Sequence, residues 1–134
     1  MLNKFILVVV LSICWATTHA QDFVTHVTLT TYNPCKAQCD DTPTITANNT
    51  KINLHKLKQG KLKYCAVSPD LLWCLPFGSI IEIDGHGMYE VVDTMNKRFD
   101  HYIDILQDKS KPNFKKEKIK IKLIRKGKKV LNKC

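Results

Sequence analysis

VVDTMNKRFDHYIDIL, residues Val91–Leu106, holds two short apolar runs around a polar, cationic loop. Val91-Val92 closes one strand, and Tyr102-Ile103-Asp104-Ile105-Leu106 alternates as a second. Each run carries one carboxylate, Asp93 in the first and Asp104 in the second. A strand that seeks apolar cover does not take up an aspartate without cause, because a buried charge must be paired or must take up a proton. The stretch therefore poses the question of what two strand-borne carboxylates do in a small β domain.

Working outward, the same alternation recurs. Phe23 to Tyr32 (FVTHVTLTTY) reads as a first strand rich in Val and Thr, and Tyr64 to Val67 as a short apolar one. Ser79 to Asp84 and Met88 to Asp93 form a hairpin across Gly85-His86-Gly87. Glu117 to Arg125 (EKIKIKLIR) alternates Lys with Ile or Leu, so one face packs and the other is basic; its lysines suit an edge strand. Asp70 to Trp73 has room for one helical turn, and Asn33 to Asn49 is a long loop of Pro, Asp, Thr, Asn and Cys. No internal repeat or low-complexity linker is visible. About six short strands with long loops and little helix predict an all-β barrel or sandwich.

The chain has 134 residues and a formal charge of +9. Lys4, an apolar run from Phe5 to Ala16, and small residues at Thr18 and Ala20 read as a secretory signal over residues 1–20, cleaved before Gln21. The run is about 12 residues, short of the about 20 that span a bilayer, so no transmembrane segment is expected after cleavage. Residues 21–134 then form a single domain. Five cysteines follow the signal: Cys35, Cys39, Cys65, Cys74 and Cys134. In an exported chain of this size they predict disulfides, with at least one thiol left over. Short spacing favours Cys65–Cys74 and Cys35–Cys39; zinc at Cys35 and Cys39 is the rival reading, and no downstream pair supports it. The basic residues cluster at Lys51 to Lys63 and Lys109 to Lys133, which favours an anionic partner. Among nucleic acid, a membrane surface and a cell-wall polymer, export argues against nucleic acid as the natural target.

Several segments taken in order resemble the bacterial 3D (Asp-Asp-Asp) domain. They are Thr31-Tyr32-Asn33-Pro34, Asp41-Thr42-Pro43 with Ile45-Thr46-Ala47, Ala66-Val67-Ser68-Pro69, and Leu75-Pro76-Phe77-Gly78-Ser79. The most specific part is Gly85-x-Gly87-x-Tyr89-x-Val91-Val92-Asp93-Thr94-Met95-Asn96-Lys97-Arg98-Phe99 followed by Ile103-Asp104-Ile105. The resemblance spans roughly residues 28 to 125. It implies a small six-stranded double-psi β-barrel related to the catalytic barrel of the membrane-bound lytic transglycosylase A group and, in fold, to expansin-like domains. It implies a secreted or periplasmic protein, associated with the cell wall or outer membrane, that acts on peptidoglycan as a monomer and without a cofactor or metal.

Carried over residue by residue, Asp104 takes the acid/base position and Asp93 that of its neighbour. The third aspartate of the pattern falls at Ser68, and Asn48-Asn49 stands where a Gly usually ends the turn; Asn49 can still supply the left-handed residue. Thr46, Thr94, Asn96, Arg98 and Tyr32 are the candidate substrate-binding residues. The threonines and Asn96 can bond sugar hydroxyls or hold the carboxylates in place, and Arg98 can instead pair with an aspartate and lower its pKa. Flanking Ile103 and Ile105 predict partial desolvation of Asp104, which raises its pKa toward that of a general acid. The competing structural reading makes Asp93 and Asp104 buried struts that accept backbone N–H groups. Trp73, Tyr32, Tyr89 and Phe77 are candidates for a sugar-stacking platform or for core packing. His26, His55, His86 and His101 show no metal-ligand spacing. Two functions follow: glycan cleavage with Asp104 as acid/base, or a non-catalytic carbohydrate-binding or expansin-like module held by its lysines.

Overall fold

Alternation sets the inner face of every strand. A computed structural model describes residues 22–34 and 44–128, in which six strands form: β1 (Val24–Tyr32), β2 (Tyr64–Val67), β3 (Ile80–Ile83), β4 (Gly87–Thr94), β5 (Tyr102–Leu106) and β6 (Lys115–Arg125). Each sends at least one apolar side chain into a common core: Leu29, Val67, Ile81, Val91, Ile103 and Ile121, all at or near zero exposure. Burying each contributes roughly 1.5–3 kcal/mol, and no strand has another partner for that face. The signal segment, Cys35, Cys39, Asp41 to Pro43, and the basic tail with Cys134 lie outside the described residues, and the readings placed on them go with them. Among the described residues no helix is long and apolar enough to cross a membrane.

The sheet closes on itself in the order β1-β5-β2-β4-β3-β6. The β1/β5 and β2/β4 pairs are parallel and the other four antiparallel. Exchanging β1-β2-β3 for β4-β5-β6 leaves the set of pairings unchanged: β1/β5 swaps with β2/β4, β1/β6 swaps with β3/β4, and β2/β5 and β3/β6 map onto themselves. Each half places a strand of the other between its own first two: β5 lies between β1 and β2, and β2 between β4 and β5. This interlocked order is the double-psi barrel.

Closure corrects the reading of β6 as an edge strand. It is paired on one side with β1 and on the other with β3, so it has no free edge. Its lysines alternate for a simpler reason: Ile119, Ile121 and Leu123 face the core, and the residues between them face solvent. The β1/β6 ladder carries a bulge, with Val27 opposite Ile119 and Leu29 opposite Lys116. Lys118 occupies it at φ 56°, a left-handed conformation that costs a side-chain-bearing residue about 1–2 kcal/mol. Lys118→Gly is expected to stabilise the barrel by about 1 kcal/mol, read as a higher urea midpoint at unchanged m-value. An unchanged or lower midpoint would show that the bulge is not strained.

A smaller apolar cluster lies outside the barrel. Leu106 of β5 packs with Ile52 and Leu57, against Tyr32, Leu62 and Tyr64. Leu57 comes from a five-residue helix, α1 (Leu54–Lys58), whose Asn53 side chain accepts the Lys56 N–H at 3.0 Å. Five residues are too few for a legible 3.6 period, so the sequence reading did not include α1. One 3-10 turn, Pro69–Leu71, stands close to the helical turn expected over Asp70 to Trp73.

The expected Cys65–Cys74 disulfide is absent; both are free, buried thiols. Cys65 points from mid-β2 into the barrel, while the Cys74 Sγ donates to Leu71 O at 3.1 Å after the 3-10 turn. Nearness in sequence does not make these side chains face one another, and both serve as small core groups. Trp73 also departs from the core reading: it is 72% exposed, with an edge-to-face contact to Phe23. Tyr89 and Phe77 do pack in or against the core.

Candidate active site

Strand register assembles the aspartates. Lys115 on β6 pairs with Thr30 on β1, Thr30 with Asp104 on β5, Asp104 with Ala66 on β2, and Ala66 with Asp93 on β4. Five side chains thus form one row across five adjacent strands. The row lies on the outer face, because Leu29, Ile103, Ile105 and Val67, the chain neighbours of its members, all face the core. Neighbouring strands are about 4.8 Å apart, so the backbones of Asp93 and Asp104 are ~10 Å apart. In the register Ala66, a small and buried residue, lies between them.

Asp93 reaches this row by an irregularity. The β2/β4 register shifts between Cys65 and Ala66: Val91 opposes Cys65, Asp93 opposes Ala66, and Val92 is the extra residue. Without that bulge, period-two alternation would carry Asp93 to the inner face with Val67. Val92 is buried by the loop over β4, whose Asn48 N–H donates to Val92 O at 3.3 Å.

The two carboxylates have different surroundings. Asp93 Oδ1 accepts the Ala47 and Thr94 N–H groups, each at 2.9 Å. Asp104 is half-buried and accepts the Thr30 hydroxyl at 2.8 Å. Burial pushes its pKa up from 3.8 to about 6, helped by the negative Asp93 and opposed by the Thr30 hydrogen bond. Arg98 is exposed, with its guanidinium over the Phe99 ring at 4.8 Å. Asp93→Asn keeps an acceptor for both amides and removes the repulsion. It is expected to lower the Asp104 pKa, which a carbon-13 carboxyl titration followed by NMR would read; an unchanged value would mean the two groups do not sense each other.

The other candidates divide between scaffold and rim. Thr46 is buried, donates to Asn48 Oδ1 at 2.6 Å and accepts Thr50 N–H at 3.1 Å, which shapes the loop that delivers Ala47 N–H to Asp93. Asn49 takes the left-handed turn at φ 64°. Thr94 donates to Val67 O at 3.3 Å, and Asn96 Oδ1 accepts Arg98 N–H at 3.0 Å within the loop; both residues are exposed. Tyr32 is half-buried against the outer cluster, two residues along β1 from Thr30.

Ser68, at the third aspartate's position, is fully buried and its hydroxyl accepts Tyr102 N–H at 3.0 Å. It fixes the start of β5 from one side. Asp70 fixes it from the other, accepting the His101 N–H at 3.1 Å and lying 3.0 Å from His101 Nδ1. Partial burial pushes the Asp70 pKa up, but the Ser68 hydroxyl, the His101 amide and the other contacts outweigh it and hold it below the usual value. With Asp100, this Asp70–His101 pair brings three possible cation ligands within 4.8 Å of one another, a grouping that sequence spacing does not announce. Two cavities lie off the aspartate row: one of about 190 Å³ between Tyr89, Ile105 and Phe114, and one of about 220 Å³ lined by Thr28, His101 and Lys118.

Thr30, Ala66 and Lys115 belong to the row and were not singled out from the sequence. Their only signal was an outward parity in strands whose pairing was still unknown. Comparison of the chain with protein-family models and with curated proteins finds no match.

Proposed function

We propose that the chain is an exported cell-wall protein of 3D-domain type that cleaves O-glycosyl bonds in peptidoglycan glycan strands, as lytic transglycosylases do. The observation that carries this reading is Asp104: an outward carboxyl with a pKa of about 6, in register across Ala66 with a second carboxylate that helps to raise it. Such a group is protonated often enough near neutrality to act as a general acid. It donates its proton to the glycosidic oxygen as the bond to the anomeric carbon breaks. The positive charge that develops on the sugar is then stabilised by Asp93, whose position is held by two amides. Asp104, now a carboxylate, accepts the proton of the sugar's own hydroxyl as that oxygen attacks the anomeric carbon and closes an anhydro ring. Protons balance without water, and one acid/base group serves both half-steps.

Ser68 favours a second reading. A buried serine stands where the resemblance expects a third carboxylate, and the row then serves carbohydrate binding or expansin-like loosening without bond cleavage. Incubation with purified sacculi separates the two. Soluble anhydro-sugar products from the parent and none from Asp104→Asn support cleavage; pull-down of both proteins with no soluble product supports the binding module.

A further inference from the structure

Beside Asp104 the outer face carries two aromatic rings flanked by two cations. Tyr102, two residues before Asp104 on the same face of β5, lies 5.1 Å from the Phe99 ring at an interplanar angle of 56°. The Arg98 guanidinium is 4.8 Å from the Phe99 centroid, and Lys115 Nζ is 5.8 Å from that of Tyr102. Both rings are half-buried and both cations exposed, so the group is fixed at its base and open at its top. We propose that Lys115, Tyr102, Phe99 and Arg98 form a binding platform for a sugar bearing a carboxylate, and that it seats this sugar at the β6 end of the aspartate row. The proposal rests on the glycan-acting reading above and names the kind of sugar that reading takes.

Three features point to this occupant. Aromatic rings offer faces to the apolar C–H side of a pyranose, while flanking cations take up an acidic substituent through charge-assisted hydrogen bonds. The row is electrically polar: Lys115 stands at one end and Asp93 at the other, so an acidic sugar is repelled from the Asp93 end. The cleft of about 220 Å³ lined by Thr28, His101 and Lys118 adjoins Tyr102, since Thr28 pairs with Tyr102 across β1 and β5. Among the described residues Lys115 has one carboxylate contact, Glu117 at 3.9 Å, with both side chains more than half exposed. An exposed pair of that length is worth little and yields to a ligand. The acidic sugar therefore lies toward β6, and the bond to its neighbour lies over Asp104.

The test compares two glycans with one β-1,4 backbone. Calorimetric titration would measure the chain against soluble glycan strands bearing lactyl carboxylates and against chitohexaose, which has none. The parent is expected to prefer the carboxylated strands by about ten-fold or more, with the preference shrinking as salt rises. Combined Lys115→Gln and Arg98→Gln, with the thermal midpoint monitored to confirm folding, is expected to abolish the preference. Equal affinity of the parent for both glycans, or an undiminished preference in the double variant, overturns the platform. Polygalacturonate is the third ligand: preference for it over the glycan strands keeps the carboxylate platform and assigns a uronic acid as its source. Selective binding by the parent and by Asp104→Asn, with no product from either, would sink the cleavage reading and leave the platform standing.

Discussion

Asp104→Asn is expected to abolish release of anhydro-sugar products from sacculi, by a factor of about 10²–10⁴, while making the barrel more stable at neutral pH. Both effects have one cause. Desolvation holds the Asp104 pKa near 6 in the folded chain, against 3.8 for an ordinary aspartate, so folding is penalised whenever the group is ionised. Below pH 3.8 the carboxyl is protonated in both states and costs nothing. As pH rises through 3.8 to 6 the unfolded chain releases its proton first, and stability falls. Above pH 6 the loss is complete, on the order of 3 kcal/mol. Asparagine resembles the protonated acid, retains an acceptor for the Thr30 hydroxyl, and removes that penalty. The variant should therefore match the parent in urea at pH 3.5 and exceed it at pH 7.5, while the parent's activity declines above pH 6 as the acid form is lost. A variant no more stable than the parent at pH 7.5 would mean that Asp104 is not desolvated, and the acid role would fall with it. An acid that costs stability is the usual mark of a site maintained for chemistry rather than for folding.

Gly127→Ala is expected to destabilise the barrel by about 2–3 kcal/mol, because among the described glycines it is the one where an added methyl group meets main-chain atoms at under 3 Å. A Cβ at Gly127 would run into the backbone carbonyl oxygen of Phe77, and would lie 2.6 Å from Ser79 N and 2.7 Å from Gly78 C. These are main-chain atoms in a turn with its own fixed bonds: Gly78 N–H donates to Val91 O at 2.7 Å, and Ser79 Oγ to Pro76 O at 2.6 Å. No flexible side chain can swing aside. Shifting the chain would also break the bond from Gly127 N–H to Ser79 Oγ at 2.9 Å. Urea unfolding measures the loss directly, with Lys126→Ala as a control that leaves the midpoint nearly unchanged. An equal midpoint for Gly127→Ala would mean that the strand exit after β6 does not cross the Pro76–Ser79 turn.

The all-β character was legible because each strand buries one face, and period-two alternation records that face directly. Strand β5 and strand β2 read off the sequence with the bounds found in the structure, and the hairpin across Gly85-His86-Gly87 was visible from its glycines. Local chemistry also carried the left-handed turn at Asn49 and the expectation that isoleucines would desolvate Asp104. Long-range partnership left no local mark. Lysines on β6 look the same whether the strand ends a sheet or closes a barrel, and two cysteines nine positions apart say nothing about where their side chains point. The matching strand pairings of β1-β2-β3 and β4-β5-β6 left no detectable repeat, since topology constrains which faces are apolar and not which apolar residue fills them.

By itself the sequence determined that Asp93 and Asp104 would sit at strands in a small β protein, one of them between isoleucines. Only the tertiary structure decided that they share a face. Asp104 faces outward by simple alternation, but Asp93 does so because Val92 is a bulge, and a bulge exists only relative to the strand it is paired with. Ala66, small enough to let one carboxylate sense the other, lies about 27 residues from Asp93 and 38 from Asp104 in the chain. Parallel and crossed pairings bring the three into one row, and no period within a single strand encodes a register between strands.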